Sequence, residues 1–207
     1  MNNKIISLAG NIGVGKSTLT SMLATEFGWK PYYEVVDHNP YLADFYEDMN
    51  RWSFHLQVYF LSKRFKHQKE MMQQHGVVVQ DRSIYEDVEI FAKNLFAQGK
   101  FNDRDYENYQ ELFSTMTDYL KPPDLLVYLR APVTTLVTRI SKRGRNFETT
   151  IPQEYLEQLN SHYDNWIELY QEGQKLIIET QDLDIVHCQD DFNKISRFIK
   201  EKIDSSS

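Results

Sequence analysis

Short apolar runs alternate along the chain with longer segments in which apolar residues recur every three to four positions. The runs predict five β-strands, at 4–9, 31–36, 76–80, 124–129 and 175–179. The periodic segments predict helices at 17–27, 40–49, 51–74, 84–97, 103–120, 132–143, 152–172 and 190–203, with Asn39 as the N-cap before Pro40. Four of the strand runs are apolar almost throughout, which is typical of strands covered on both faces. We therefore predict an α/β fold in which helices flank a five-stranded parallel sheet in a three-layer sandwich.

The loop after the first predicted strand carries a phosphate-binding motif. It fits G-x-x-x-x-G-K-[ST] and runs on into a threonine; its residues are Gly10, Asn11, Ile12, Gly13, Val14, Gly15, Lys16, Ser17 and Thr18. Glycines permit the backbone angles at which consecutive N–H groups face an anion, and the following helix directs its N-terminal N–H groups to the same point. We expect Lys16 to reach the β- and γ-phosphates of a nucleoside triphosphate and Ser17 to hold Mg²⁺.

Acidic residues are found near the ends of the second and third predicted strands. Ligands bind at the carboxyl ends of parallel strands, so both acids are expected near the phosphate loop. Glu34 has two interpretations: a base that accepts a proton from the hydroxyl attacking the γ-phosphate, or a strand-end glutamate facing water. Asp81 is expected to hold Mg²⁺ directly or through water, and Arg82 to neutralise the transferring phosphoryl group.

The helix predicted at 51–74 is unusually aromatic. Trp52, Gln57 and Arg64 would offer a flat wall, an amide and a guanidinium to a heterocyclic base. Asp87 and Phe91 are four residues apart on the helix at 84–97, so one could accept from an amino group while the other stacks. The competing interpretation of the aromatic helix is an ordinary core helix with solvent-facing polar residues.

Cations crowd the end of the helix at 132–143. The basic residues surround Gly144; they are Arg139, Lys142, Arg143 and Arg145. Helix C-termini favour cations, so a solvated cap is one explanation. The other, which we favour, is a lid at about 139–150 that closes over the phosphates of ATP.

The composition of the chain limits the number of domains, the kind of partner and the cellular location that we expect. Hydrophobic residues make up 41% and charged residues 26%, and we expect one domain spanning 1–207 with no membrane segment. A net charge of −7 argues against nucleic acid as a partner. The single cysteine, Cys188, and the lack of a secretory signal predict a cytoplasmic protein.

These motifs, in this order, resemble those of the deoxynucleoside kinase family, which includes the deoxycytidine, deoxyguanosine and deoxyadenosine kinases. The resemblance rests on the phosphate loop, Glu34, the segment 51–57, Asp81-Arg82-Ser83-Ile84-Tyr85, the segment 139–145 and the segment 151–156. It implies a homodimer that transfers the γ-phosphoryl group of ATP, with Mg²⁺, to the 5′-hydroxyl of a deoxynucleoside. One departure is Glu34-Val35-Val36, where several relatives have Glu-Pro-Val, and it leaves the glutamate intact.

The resemblance also implies roles for individual residues. Glu34 is similar to the general base, and Arg82 to the arginine beside the 5′-oxygen. The remaining counterparts are Tyr46 and Glu148 for the sugar 3′-hydroxyl, Gln57, Arg64 and Asp87 for the base, Trp52 and Phe91 for the walls, and Arg139, Arg143 and Arg145 for the lid.

The hydrogen-bonding groups of the predicted base site limit which deoxynucleosides are expected to bind. Ionised Asp87 is only an acceptor, so it favours a base with an amino group and disfavours thymine by about 1–3 kcal/mol. We place deoxyadenosine first, then deoxyguanosine and deoxycytidine. Two alternatives stay open: a nucleoside monophosphate kinase, and a nucleotide-dependent regulatory switch.

Overall fold

The computed structural model describes residues 3–34, 39–145 and 151–205. Its strands are β1 (Lys4–Ala9), β2 (Lys30–Tyr32), β3 (Val77–Asp81), β4 (Leu125–Arg130) and β5 (Gln174–Glu179). Its helices are α1 (Lys16–Phe27), α2 (Leu42–Glu47), α3 (Met49–Met72), α4 (Ile84–Glu86), a π-helical segment (Asp87–Ala92), α5 (Lys93–Ala97), α6 (Asp103–Thr117), α7 (Val133–Arg143), α8 (Gln153–Leu169) and α9 (Gln189–Asp204).

The strands form one parallel sheet in the order β2-β3-β1-β4-β5. The central strand β1 is therefore flanked by β3 and β4, and its carboxyl end opens directly into the phosphate loop. Leu8 of β1 is in register with Asp81 of β3, which places the loop and the acid at the same edge. The predicted five-stranded parallel sheet is confirmed.

The side chains of β4 show why the sheet is covered on both faces. Leu125, Val127 and Leu129 contribute to a core with α1, α7 and α9, whereas Leu126 and Tyr128 contribute to a second core with α8. Successive residues of a strand point to opposite faces, so an uninterrupted apolar run serves two layers at once. The result is the three-layer α/β sandwich that the sequence pattern predicts.

The segment around β2 differs from prediction. The strand pairs with β3 only from Lys30 to Tyr32, and not from 31 to 36; Tyr33 and Glu34 have left the sheet, and 35–38 lie outside the described residues. The helix predicted at 40–49 runs from Leu42 to Glu47. Asn39 is not its N-cap, because the Asn39 side chain accepts from the N–H of Tyr41, 2.9 Å away, in an Asx turn.

The helix predicted at 84–97 contains a π-helical segment, Asp87–Ala92, between α4 and α5. Such segments are rare and occur frequently at functional sites. In the described part of the chain, no helix is long and apolar enough to cross a membrane.

Candidate active site

The phosphate loop is tightly packed between the sheet and two helices. A Cβ on Gly10 would come within 2.5 Å of the carbonyl oxygen of Leu129, and one on Gly13 within 2.7 Å of Ile140 in α7. Both glycines also have positive φ angles, 143° and 82°, so a side chain would meet strain as well as a clash. The motif therefore needs glycine at these two positions for space as well as for backbone angle.

Two buried side chains hold the loop in place, one by bonds to α8 and one by bonds within the loop. Asn11 donates to the backbone oxygen of Leu156 (2.9 Å) and to the side chain of Asn160 (2.7 Å), both in α8. The Lys16 ammonium donates to the carbonyl oxygens of Gly10 (2.7 Å) and Asn11 (3.0 Å). Burial, reinforced by repulsion from the Arg82 guanidinium, lowers the pKa of Lys16 to about 8.

Ser17 and Asp81 form the pair that the sequence predicts for a metal. The Ser17 hydroxyl donates to one carboxylate oxygen of Asp81, while the other, Oδ1, is buried and has no hydrogen-bond partner among the described residues. A hydroxyl beside a carboxylate with an unused oxygen fits Mg²⁺, which is commonly bound by one or two protein groups together with substrate phosphates.

Glu34 lies between two guanidinium groups. Its Oε1 atom is 2.6 Å from Nη2 of Arg64 and 3.2 Å from Nε of Arg82. Burial opposes ionisation of Glu34, but the attraction of Arg82 and then Arg64 outweighs it and lowers its pKa to about 2. The carboxylate is thus ionised at neutral pH, and it faces the solvent of the cavity with about 20% of its side chain exposed.

Arg64 also reaches the residue predicted to recognise the base. Its Nε donates to Oδ1 of Asp87 at 2.8 Å, so one guanidinium joins Glu34 to Asp87. The second oxygen of Asp87, Oδ2, is buried with no partner in the described part of the chain, and so is Oε1 of Gln57. Burial raises the pKa of Asp87 to about 6, although Arg64 acts against the shift.

Arg82 occupies an unusual backbone conformation at the end of β3. Its φ is 70°, in the left-handed region that non-glycine residues adopt at a cost of about 1–3 kcal/mol. The guanidinium lies over the ring of Phe91, 4.3 Å from its centroid, and the whole side chain is 4% exposed. This backbone conformation, supported by the adjacent packing, turns Arg82 toward Glu34.

A single cavity of about 430 Å³ connects these groups. Most of the predicted site residues line it: Ile12, Gly13, Gly15, Lys16, Ser17, Thr18, Glu34, Tyr46, Gln57, Arg64, Asp81, Arg82, Asp87, Phe91, Arg143 and Arg145. Of the predicted loop residues, Gly10, Asn11 and Val14 do not line it. Further residues line the cavity without having been predicted from the sequence, among them Tyr33, Phe45, Phe60 and Tyr155. Phe60 lies in the aromatic pattern of α3, but periodicity alone does not tell which rings reach a cavity.

The role of Trp52 as a wall of the base site stays a prediction. Trp52 is absent from the lining, and its ring instead contacts Tyr41 at 5.9 Å and His55 at 5.4 Å between centroids. Leu56 and Phe60, one and two turns further along α3, take the place expected for it. The physical reason is that Tyr41, directly before α2, packs against Trp52 and His55 in the first two turns of α3.

Arg139 is also placed differently from the prediction. Its guanidinium donates to the backbone oxygen of Val14 (3.0 Å) and to those of Thr180 (2.6 Å) and Leu183 (3.3 Å). It therefore ties α7 to the phosphate loop and does not line the cavity, unlike Arg143 and Arg145. Glu148, predicted to bind the sugar, lies outside the described residues, so the lid at 139–150 stays a prediction.

The fold and site together define a class of protein. A glycine-rich loop at the carboxyl end of the central strand, a lysine within it and a carboxylate and arginine facing it are the features of a P-loop phosphotransferase.

Comparison with known proteins identifies the family. The family model described as "Deoxynucleoside kinase" matches residues 6–204. A deoxyadenosine/deoxycytidine kinase of Bacillus subtilis (strain 168) is 45% identical over 195 residues, which cover 93% of this chain and 90% of the relative. A deoxyguanosine kinase of the same organism is 36% identical over 202 residues, covering 96% of this chain and 97% of the relative. The chain belongs to the deoxynucleoside kinase family.

A solved structure supports the same family assignment. A deoxyadenosine kinase from M. mycoides, described with the products dCMP and a flexible dCDP bound, superposes with a TM-score of 0.83 and 28% identity. The match covers 95% of this chain and 98% of that one. The protein is therefore an enzyme of the phosphotransferase class with the P-loop kinase fold.

Proposed function

We propose that this chain transfers the γ-phosphoryl group of ATP to the 5′-hydroxyl of a deoxynucleoside, with deoxyadenosine preferred. The observation that carries the proposal is the single cavity that joins the phosphate loop, Glu34 and two buried acceptor atoms without partners among the described residues. The loop would bind the donor phosphates, and Glu34 would bind the attacking hydroxyl. The two acceptor atoms would bind the amino group of a base.

The acceptors are Oδ2 of Asp87 and Oε1 of Gln57. Adenine and cytosine both offer an amino group beside a ring nitrogen that accepts, so the amide of Gln57 can also donate to that nitrogen. Thymine replaces the amino group with a carbonyl, which would leave buried acceptors unmatched and cost about 1–3 kcal/mol. The relative named for deoxyadenosine and deoxycytidine supports deoxycytidine as the second substrate, ahead of deoxyguanosine, which reverses the order that we predict from the sequence.

In the proposed mechanism Glu34 orients the 5′-hydroxyl and takes its proton. The bond from the 5′-oxygen to the γ-phosphorus forms as the bond from that phosphorus to the β–γ bridging oxygen breaks, and ADP leaves. Phosphoryl transfer passes through a loose transition state, so the proton leaves late and an ionised carboxylate with a low pKa is adequate. Lys16 would stabilise charge on the β- and γ-phosphates, and Arg82 the transferring group. Ser17 and Asp81 would hold Mg²⁺, which neutralises phosphate charge when bound.

Four broader features belong to the same proposal. These are the Mg²⁺ requirement, a single domain, a homodimeric state and a cytoplasmic location; the last two derive from family resemblance and composition. Arg143 and Arg145 would extend the phosphate site from the end of α7 as a lid. A mass measurement in solution and a metal titration of the activity test the dimer and the Mg²⁺ requirement.

A nucleoside monophosphate kinase is the less favoured alternative. It would need cations deep in the acceptor half of the cavity, where Arg64 and Arg82 are instead paired with Glu34 and Asp87. The test is ADP release with Mg-ATP and deoxyadenosine, deoxycytidine, deoxyguanosine, thymidine or their monophosphates, with products identified by mass. We expect turnover with the amino-bearing deoxynucleosides; turnover with monophosphates alone would overturn the proposal.

The raised pKa of Asp87 predicts a pH dependence. As pH falls through about 6, the carboxylate protonates and no longer offers both oxygens as acceptors. We expect kcat/KM for deoxyadenosine to fall below this range and to be constant only between it and about pH 8, where Lys16 begins to lose its proton, because kcat/KM reports ionisations of the free enzyme. Glu34 does not produce this decline, because its pKa is about 2.

The variant Asp87→Asn distinguishes the titration of Asp87 from that of Glu34. The variant should have a lower kcat/KM at neutral pH and lack the decline near pH 6, as measured from initial rates in buffers of constant ionic strength. A decline that persists unchanged in Asp87→Asn would show that another group titrates.

A further inference from the structure

We propose that Glu86 and Tyr163 form a clamp that positions the Arg82 guanidinium relative to the phosphate loop during phosphoryl transfer. The clamp rests on the proposed function and adds two positioning residues to it. Neither side chain lines the cavity, and the two lie 77 positions apart in sequence.

Glu86 is a fully buried carboxylate at the junction of three parts of the site. It accepts from the backbone N–H of Ser83 (2.7 Å), from the Ser83 hydroxyl (3.2 Å) and from the hydroxyl of Tyr163 in α8 (2.7 Å). It also accepts a longer hydrogen bond, 3.4 Å, from the N–H of Gly10, the first glycine of the phosphate loop. One carboxylate thus contacts the residue after Arg82, helix α8 and the phosphate loop.

Tyr163 continues this set of contacts to Arg82 itself. Its hydroxyl donates to Oε1 of Glu86 and accepts from Nη1 of Arg82 at 3.2 Å. The direction of the two bonds is determined, because a carboxylate can only accept and a guanidinium can only donate. The hydroxyl is therefore the link between the guanidinium and the carboxylate that touches Gly10.

Arg82 needs such support because its backbone conformation costs free energy. Its φ of 70° is a strained conformation, which persists only where surrounding contacts over-determine it. Its Nε also faces the carboxylate of Glu34 at 3.2 Å, so a shift of the guanidinium would disturb the group proposed to accept the proton. A misplacement of about 1 Å at a reacting centre can reduce the rate about a hundredfold.

Tyr163→Phe removes the link while keeping the ring. We expect kcat with deoxyadenosine to fall about tenfold or more, with the KM values for deoxyadenosine and ATP changed by less than about threefold, because the proposed base-binding groups and the loop keep their own contacts. Glu86→Gln should lower kcat in the same way, because its neutral amide weakens the bonds to Tyr163 and Gly10.

Tyr128→Phe is the matched control. Tyr128 is also buried, its ring stacks on that of Tyr163 with centroids 5.6 Å apart, and its hydroxyl donates to Asp164 at 3.1 Å. It makes no described contact with Arg82. We expect Tyr128→Phe to retain the kcat of the unmodified protein even if both variants lower the thermal midpoint equally.

A double-mutant cycle separates positioning from general stability. Arg82→Lys should lower kcat by itself, and adding Tyr163→Phe should lower it little further, because the guanidinium that the hydroxyl holds is gone. Equal kcat losses in Tyr163→Phe and Tyr128→Phe, or additive losses in the Arg82→Lys background, would overturn the clamp. Absence of deoxynucleoside phosphorylation by the unmodified protein would instead overturn the proposed function.

Discussion

Replacing Glu34 with glutamine is expected to lower kcat for deoxyadenosine by about 10²–10⁴-fold, the range typical of a lost general base. Glutamine keeps the size of the side chain but cannot take up the proton of the 5′-hydroxyl. It also removes the negative charge that lies 2.6 Å from Arg64 and 3.2 Å from Arg82, so both guanidinium groups lose their shared partner. Steady-state rates of ADP release measure the effect.

Binding of ATP should survive this change, because the phosphate loop has its own contacts to α8 and to the sheet. Isothermal titration with ATP and Mg²⁺ is therefore expected to give nearly the same affinity in Glu34→Gln. Glu154→Gln, an exposed change in the first turn of α8, is the control for the loss of one carboxylate. Full turnover in Glu34→Gln would remove Glu34 from the role of base.

The second large effect is expected for Lys16→Met. Methionine preserves an unbranched, buried side chain but removes the ammonium, which now donates to Gly10 and Asn11 within the loop. Loss of a preorganised charge at the β- and γ-phosphates should reduce kcat by about 10²–10³-fold. The KM for ATP is expected to rise, while the dissociation constant for deoxyadenosine stays close to that of the unmodified protein.

The control for Lys16→Met is Lys194→Met, which removes an exposed ammonium from α9. Both variants lower the positive charge of the protein by one. Comparable losses of kcat in the two variants would mean that overall charge, and not the position of Lys16 in the loop, governs the rate.

Arg64 links Glu34, the carboxylate proposed as the base catalyst, to Asp87, the carboxylate proposed to bind the nucleobase. One guanidinium contacts Glu34 at 2.6 Å and Asp87 at 2.8 Å, so a change at either carboxylate alters the charge seen by the other. Effects of paired substitutions at these positions are therefore expected to be non-additive.

Much of the site could be predicted because its signals are local or follow from parallel-sheet geometry. The phosphate loop is contiguous, so its glycines and Lys16 are recognised from spacing alone. Glu34, Asp81 and Arg82 could be placed beside the loop because parallel strands bring their carboxyl ends to one edge. The structure brings Gly13, Gly15, Lys16, Glu34, Asp81 and Arg82 to the same cavity, whereas Gly10 does not line it.

A helical pattern by itself does not give the position of a residue in space. Periodicity shows which residues share a face of α3, but not where along the helix the cavity begins, and Trp52 lies outside it while Leu56 and Phe60 line it. A cluster of basic residues in the sequence likewise does not show which cation binds backbone oxygens of the protein and which lines the cavity. Arg139 donates to three backbone carbonyl oxygens, whereas Arg143 and Arg145 line the cavity.

The amino-acid sequence by itself therefore determined the α/β class, the phosphate loop and most of the residues at the sheet edge, because these depend on short-range spacing and on strand polarity. Only the tertiary structure decided the pairing of Arg64 with Glu34 and Asp87, and the contact between Glu86 and Tyr163. Such pairings join residues 23 to 77 positions apart. Their partners are selected by the packing of α3, the π-helical segment and α8 around one cavity, and no local pattern encodes that packing.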